Sequence, residues 1–204
     1  MIKIKKDNIN IVPLLKPKEK AIWNAALPYQ DKRNDKGHAE FVTYFALKLT
    51  ELLNGNRKIT IPGAILHDVG WSQLTKSELK GFYSSIGTNK ELKLRKKHQE
   101  EGVKLVKDLL TKCEYPRKLI KEILEIISQH DTRKGFYSNE DGIVRDSDKL
   151  WRFTYPAIRI AMREKGYTFS QIKRFMSKEI NRKGFFYSEI ARRIALLELN
   201  TLSI

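Results

Sequence analysis

The sequence predicts an all-α protein built as one helical bundle. Three observations predict this class. Apolar residues recur at helical spacing along most of the chain. No segment sustains strand alternation beyond two short stretches, KITI at 58–61 and the first dozen residues. The length, 204 residues with 41% apolar, suits a single core.

The elements follow in order. From His38 an apolar stripe runs through Val42, Phe45, Ala46, Leu49, Leu52 and Leu53, and the helix stops in the turn-rich NGN of 54–56. Pro62 suits the first turn of the next helix, which carries AILHDVG. Residues 72–95, polar and glycine-containing, read as a long loop holding at most one short helix, placed to act as a lid. A second stripe runs His98, Gly102, Leu105, Val106 and Leu109. Pro116 opens a third, with Leu119, Ile123, Ile126, Ile127 and His130 on one side. After a loop at 131–143 the pattern resumes through Leu150, Trp151, Tyr155 and Ile158, and two further helices fit 168–181 and 186–200. The related stretches at 80–84, 134–138 and 183–188 read as three loops whose serines are available as helix caps. The expected organisation is one domain over 1–204, with a core at roughly 36–160 and helical extensions at 1–35 and 161–204.

Composition excludes several classes. Cys113 is the one cysteine, so no disulfide framework or cysteine-rich zinc site can form. No apolar run is long enough to span a bilayer, and the charged start lacks a signal-peptide pattern, so a cytoplasmic protein is expected. The net charge of +16 attracts polyanions and phosphorylated small molecules and leaves nucleic-acid binding open. The basic residues are scattered, as on a lysine-rich solvated surface.

The four histidines carry the chemistry. Each falls at or near a predicted helix end; His38, His98 and His130 lie on apolar stripes, and His67 follows an apolar run. One inward histidine is ordinarily a core residue with a satisfied hydrogen bond. Four of four in a lysine-rich chain point instead to neutral imidazoles gathered for metal ligation. Carboxylates accompany them. Asp68 adjoins His67, and Asp146 points inward if Leu150, one turn on, does. Asp148 then points elsewhere, as a supporting group or solvated surface. Asp131, next to His130, either orients an imidazole or a water or serves the loop.

The ordered set His38, His67-Asp68, His98, His130, Asp146 resembles the HD-domain superfamily of metal-dependent phosphohydrolases. The resemblance covers roughly 36–160. AILHDVGW resembles the signature segment, HQEEGVKLVKDLL…YPRKLIKEILEIISQHD the stretch with two extra histidines, and DSDKL the closing motif. It implies an HD-type all-α bundle with metal between the helices. His38, His67, Asp68 and Asp146 would hold one metal, and His98 and His130 a second, bridged by Asp68. The implied catalytic residues are Asp68, His98 and His130, and the implied cofactor is two divalent transition metals from among Mn, Fe, Zn, Co and Ni. A bridging carboxylate holds two cations within about 4 Å, close enough to share a water whose lowered pKa yields hydroxide for in-line attack on phosphorus.

The implied activity is hydrolysis of a phosphate ester or phosphoanhydride of a nucleotide or small phosphorylated metabolite. Trp71 stands where some branches carry a lysine, and the acidic pair of guanosine-tetraphosphate hydrolases and the motif of cyclic dinucleotide phosphodiesterases are missing. Arg133, Lys149 and Arg152 are the first candidates for phosphate contact, with Lys134, Arg145, Arg95, Lys96 and Lys97 behind them. Trp71, Phe82 and Tyr137 either pack under loops or stack on a base. Two other readings share the pattern: a diiron oxygenase of the inositol-oxygenase kind, and a non-enzymatic nucleic-acid or nucleotide-binding module stapled by metal.

Overall fold

The computed structural model describes residues 9–201, the side chains at 83, 84 and 165 excepted. Among these residues there is no strand, and the chain is all-α. Ten α-helices follow in order: α1 (Pro17–Ala26), α2 (His38–Leu52), α3 (Arg57–Leu66), α4 (Lys76–Ser84), α5 (Asn89–Lys112), α6 (Arg117–Gln129), α7 (Asn139–Trp151), α8 (Tyr155–Lys165), α9 (Phe169–Asn181) and α10 (Glu189–Thr201). Helices α2, α3 and α7 pack on one another, and α5 pairs with α6, which also meets α3. Helix α1 lies against α3; α8 packs on α9, and α10 on α7 and α9.

Helix α3 forms the centre. Every residue from Ile59 to Leu66 is buried, including Thr60 and Pro62. A helix buried all round shows no apolar stripe, so KITI mimics a strand in sequence and folds as the first turns of α3. Asn56, not Pro62, starts it, its side chain accepting from the Lys58 amide. Pro62 therefore sits inside the helix, where its missing N–H leaves the Lys58 carbonyl without an intrahelical donor. The Tyr115 hydroxyl fills that place, donating to the Lys58 oxygen at 2.7 Å. The other strand-like stretch, the first dozen residues, falls mostly outside the described residues. Its last part enters a 3-10 turn at Val12–Leu14.

The expected loop at 72–95 is largely helical. Thr75 and Glu78 form a capping box that starts α4, and Thr88 caps α5 through the Glu91 amide. Helix α5 therefore begins well before His98, which lies inside the helix rather than near its end. Of the three related serine-ended stretches, two behave as loops with caps. Ser138 accepts from the Asp141 amide to start α7, and Ser188 accepts from the Ala191 amide at α10. The stretch at 80–84 belongs to α4.

One backbone contact sets the distance between halves of the site. After α3 the chain makes a 3-10 turn at Val69–Gln73, packed on α5. A Cβ on Gly70 would lie 1.9 Å from the His98 carbonyl oxygen and 2.7 Å from the Gly102 nitrogen. Only glycine permits this approach, and the obstacles are backbone atoms that cannot step aside. Gly70→Ala is expected to lower unfolding stability by about 3 kcal/mol or more, read as a reduced urea midpoint. A variant as stable as the parent would show that the close crossing is not required.

Candidate metal centre

The site is assembled from helix ends. His67 and His130 each follow the last residue of a helix, α3 and α6, where backbone carbonyls have no intrahelical donor. Each imidazole uses one of them. His67 Nδ1 pairs with the Ala64 carbonyl at 2.8 Å and His130 Nδ1 with the Ile127 carbonyl at 2.9 Å. With Nδ1–H donated, Nε2 carries the lone pair, and both Nε2 atoms face inward. His38 opens α2. Asp31 closes that helix end from the preceding loop, accepting from the amides of Gly37 at 2.8 Å and Ala39 at 3.1 Å. His98 projects from α5 and lies flat on Trp71, with ring centroids 4.0 Å apart.

Asp68 stands between two sets of donors. Its Oδ2 lies 3.2 Å from His38 Nε2 and 3.5 Å from His67 Nε2, which are 3.0 Å from each other. Its Oδ1 lies 3.3 Å from His130 Nε2 and 3.6 Å from His98 Nε2, themselves 3.3 Å apart. Asp148 Oδ1 completes the first set, 3.4 Å from His38 and 3.7 Å from His67. Asp131 Oδ2 completes the second, 3.7 Å from His98 and 3.9 Å from His130. Trp71 Nε1 donates to Asp68 Oδ1 at 3.0 Å, and Arg33 pairs with Asp68 Oδ2 and with Asp35. Arg95 holds Asp131 at 2.7 Å.

This donor chemistry suits divalent metal. Imidazole lone pairs and carboxylate oxygens converge in two groups, each with its ligand atoms within 4.8 Å of one another, close enough to hold a cation. Burial alone would lower the His67 pKa, but the carboxylates of Asp68 and Asp148 outweigh it and raise it to about 9. Burial, with neighbouring His130, lowers His98 to about 3. Burial disfavours the Asp68 carboxylate too, yet Arg33 and His67 hold it well below its usual range.

The structure brings His38, His67, Asp68, His98 and His130 together, and separates Asp146 from them. Asp146 is fully buried against α10, where it accepts from the Tyr187 amide at 2.7 Å, the Ser188 amide at 2.8 Å and the Ser188 hydroxyl at 2.9 Å. Asp148 stands in the place expected for Asp146. Helix α7 is buried on two sides, so an inward direction is not unique, and residues two apart project about 200° from each other. Val144, Asp148 and Trp151, at i, i+4 and i+7, share the face toward His38, whose ring lies edge-on to Trp151.

The phosphate-contact candidates divide similarly. Arg152 lines a cavity of about 360 Å³ that opens from His38, Asp68, Asp131 and Asp148, and no ion pair or hydrogen bond engages its guanidinium among the described residues. Arg133 pairs with Glu125 and lies over Tyr137, away from that cavity. Lys149 is held between the Phe136 and Phe185 rings, where burial lowers its pKa to about 8. Arg145 donates to the Gly135 and Arg133 carbonyls, and Lys97 pairs with Glu78. Trp71 and Phe82 pack with Leu74 and Leu94, and Phe82 also lines the cavity. Arg33 had no sequence signal, since a lone arginine in a polar loop reads as solvated.

Asp148→Ala is expected to lower bound metal per chain. Asp146→Ala, which strands two buried amides, is expected to cost about 3 kcal/mol without altering metal content; elemental analysis and thermal melts read both, and the reverse pattern would return the ligand role to Asp146. For pH, the folded chain holds the His67 proton to about 9, while an unfolded chain loses it near 6.5. That stabilisation is present below 6.5 and lost as pH rises through 9. For His98 the unfolded chain takes a proton near 6.5 and the folded chain not until about 3, so stability also falls as pH drops below 6.5. Metal-free protein is expected to melt highest near pH 6.5, and a melting temperature flat from pH 5 to 9 would contradict the assignment.

Residues 36–152, more than half the chain, match the family model described as HD domain. Among solved structures, the chain is similar to the crystal structure of a predicted HD superfamily hydrolase from an uncultured Thermotogales bacterium. The two share 18% sequence identity and a TM-score of 0.55, over 94% of this chain and 92% of the other. That likeness shows a common fold. A comparison with curated proteins finds no match. No helix among the described residues is long and apolar enough to cross a membrane. With its residues 36–152 matched and the histidine–aspartate pair at the centre of the bundle, the chain belongs to the HD domain family.

Proposed function

We propose that the protein is a metal-dependent phosphohydrolase acting on a phosphate ester or phosphoanhydride of a nucleotide or small phosphorylated metabolite. The observation that carries this reading is Asp68, whose two carboxylate oxygens face separate imidazole pairs. His38, His67 and Asp148 would hold one divalent ion, His98, His130 and Asp131 a second, with Asp68 shared. Ions held there supply Lewis acidity toward a phosphoryl oxygen and toward the water that attacks phosphorus.

The chain's own side chains do the rest. Arg33 and Trp71 fix the Asp68 carboxylate, and Arg95 fixes Asp131, so neither must reorganise when substrate arrives. Arg152, lining the cavity beside Asp148, offers a guanidinium for the phosphoryl oxygens. The hydrolase description of the structurally similar Thermotogales protein agrees with this reading.

The test is phosphate release from a panel of phosphate esters by protein supplied with Mn²⁺, alongside metal analysis. About two transition-metal atoms per chain are expected. Asp68→Ala should lose both turnover and metal while its helical circular dichroism persists, and His98→Ala should lose about half of the metal. Arg152→Ala should raise KM roughly ten- to a hundredfold with metal content unchanged, the worth of one charged hydrogen bond. O₂-dependent turnover by iron-loaded protein, without phosphate release, would replace this reading with the diiron oxygenase.

A further inference from the structure

The cavity beside the metal centre is divided by chemistry. Its inner end carries His38, Asp68, Asp131 and Asp148, with Arg33, Arg95 and Arg152 around them. Its outer wall comes from two helices beyond residue 152, where the family match ends. Helix α8 contributes Ile158, Ile160 and Ala161, and α9 contributes Ile172, Phe175 and Met176. Among the described lining residues there is no serine, threonine, asparagine, glutamine or tyrosine. Glu164, the acidic group on α8, is engaged by Arg163 at 2.8 Å.

A nucleobase placed against this wall would meet few groups able to satisfy its ring donors and acceptors, and stranded polar groups cost affinity. A hydrocarbon would meet matching surface. Phe175 is 56% exposed at this wall, a large apolar side chain left open to solvent beside the site. The cavity's volume, about 360 Å³, lies within the range of small-molecule pockets.

We infer that the α8–α9 wall selects a phosphate monoester of an apolar alcohol, with the phosphoryl group at the metal end and the hydrocarbon against Ile158, Ile172, Phe175 and Met176. The inference rests on the phosphohydrolase reading and narrows its substrate. In the reaction, water adds to phosphorus, the bond from phosphorus to the alcohol oxygen breaks, and that oxygen leaves with a proton as the free alcohol alongside inorganic phosphate.

Binding tests this without turnover. The probes are n-alkylphosphonates from methyl to octyl, which cannot be hydrolysed at phosphorus–carbon, titrated calorimetrically into the full chain with Mn²⁺. The affinity is expected to rise about fourfold per methylene until the wall is covered. Phe175→Ala should weaken octylphosphonate several-fold and leave methylphosphonate unchanged; this rim residue is exposed enough to be replaced without unfolding the chain. Methylphosphonate binding with no dependence on chain length would overturn the inference and leave the phosphohydrolase reading standing. Tighter binding of a nucleoside phosphonate than of hexylphosphonate would do the same. Chain-length dependence without methylphosphonate binding would support the apolar wall and sink the phosphoryl end. Binding of no member would overturn both.

Discussion

The structure turns on one partly buried carboxylate that faces four imidazoles. Each oxygen of Asp68 is bound by a fixed group: Trp71 on Oδ1, Arg33 on Oδ2. Such a concentration of lone pairs is electrostatically costly unless cations stand among them. The rest of the bundle therefore has a strict task. It must bring donors from α2, α3, α5, α6 and α7 into two sets that meet at Asp68, the ligand atoms of each histidine–Asp68 group within 4.8 Å of one another, and hold them there.

Helix ends make that convergence affordable in free energy. Unpaired carbonyls at the ends of α3 and α6 would otherwise need water, and His67 and His130 take them up while turning their lone pairs inward. The same atoms thus finish a helix and fix a tautomer. Backbone proximity does the remaining positioning. Gly70 lets the turn after Asp68 lie against α5 beside the His98 carbonyl, and the stacked Trp71 and His98 rings keep that register. Around Pro62 the hydroxyl of Tyr115 repairs the helix whose far end delivers His67 and Asp68. The centre and the core are one construction, since the residues that bury α3 also aim its last turn.

Charge is distributed by distance from this centre. Arg33 and Arg95 are tied to carboxylates of the donor sets, whereas Arg152 faces the cavity without such a tie among the described residues. Beyond the arginines the surface becomes aliphatic and aromatic, carried by α8 and α9. In the reading proposed above, the matched region supplies the reaction and the helices after it supply selectivity. The large positive net charge is mostly elsewhere, spread over the exposed faces of the helices.

The sequence by itself determined the fold class and five members of the centre. Helical periodicity survives wherever one face is buried and the other wet, and a histidine on that stripe must point inward. Hence His38, His98 and His130 were legible, and His67 with Asp68 by their position behind an apolar run. The capping pairs Thr75–Glu78 and Thr88–Glu91 were also present in the letters, and they make helix of most of what reads as a long polar loop. Periodicity fails where burial is complete, as from Ile59 to Leu66, because no polar face remains to mark the turn. Only the tertiary structure decided between Asp146 and Asp148. Helix α7 is covered on both sides, and a one-dimensional pattern can say that a residue is buried but not against which neighbour. Arg33 was invisible for a related reason. Its role exists only because the loop 31–37 folds back onto a carboxylate 35 residues away, and sequence spacing carries no measure of that distance.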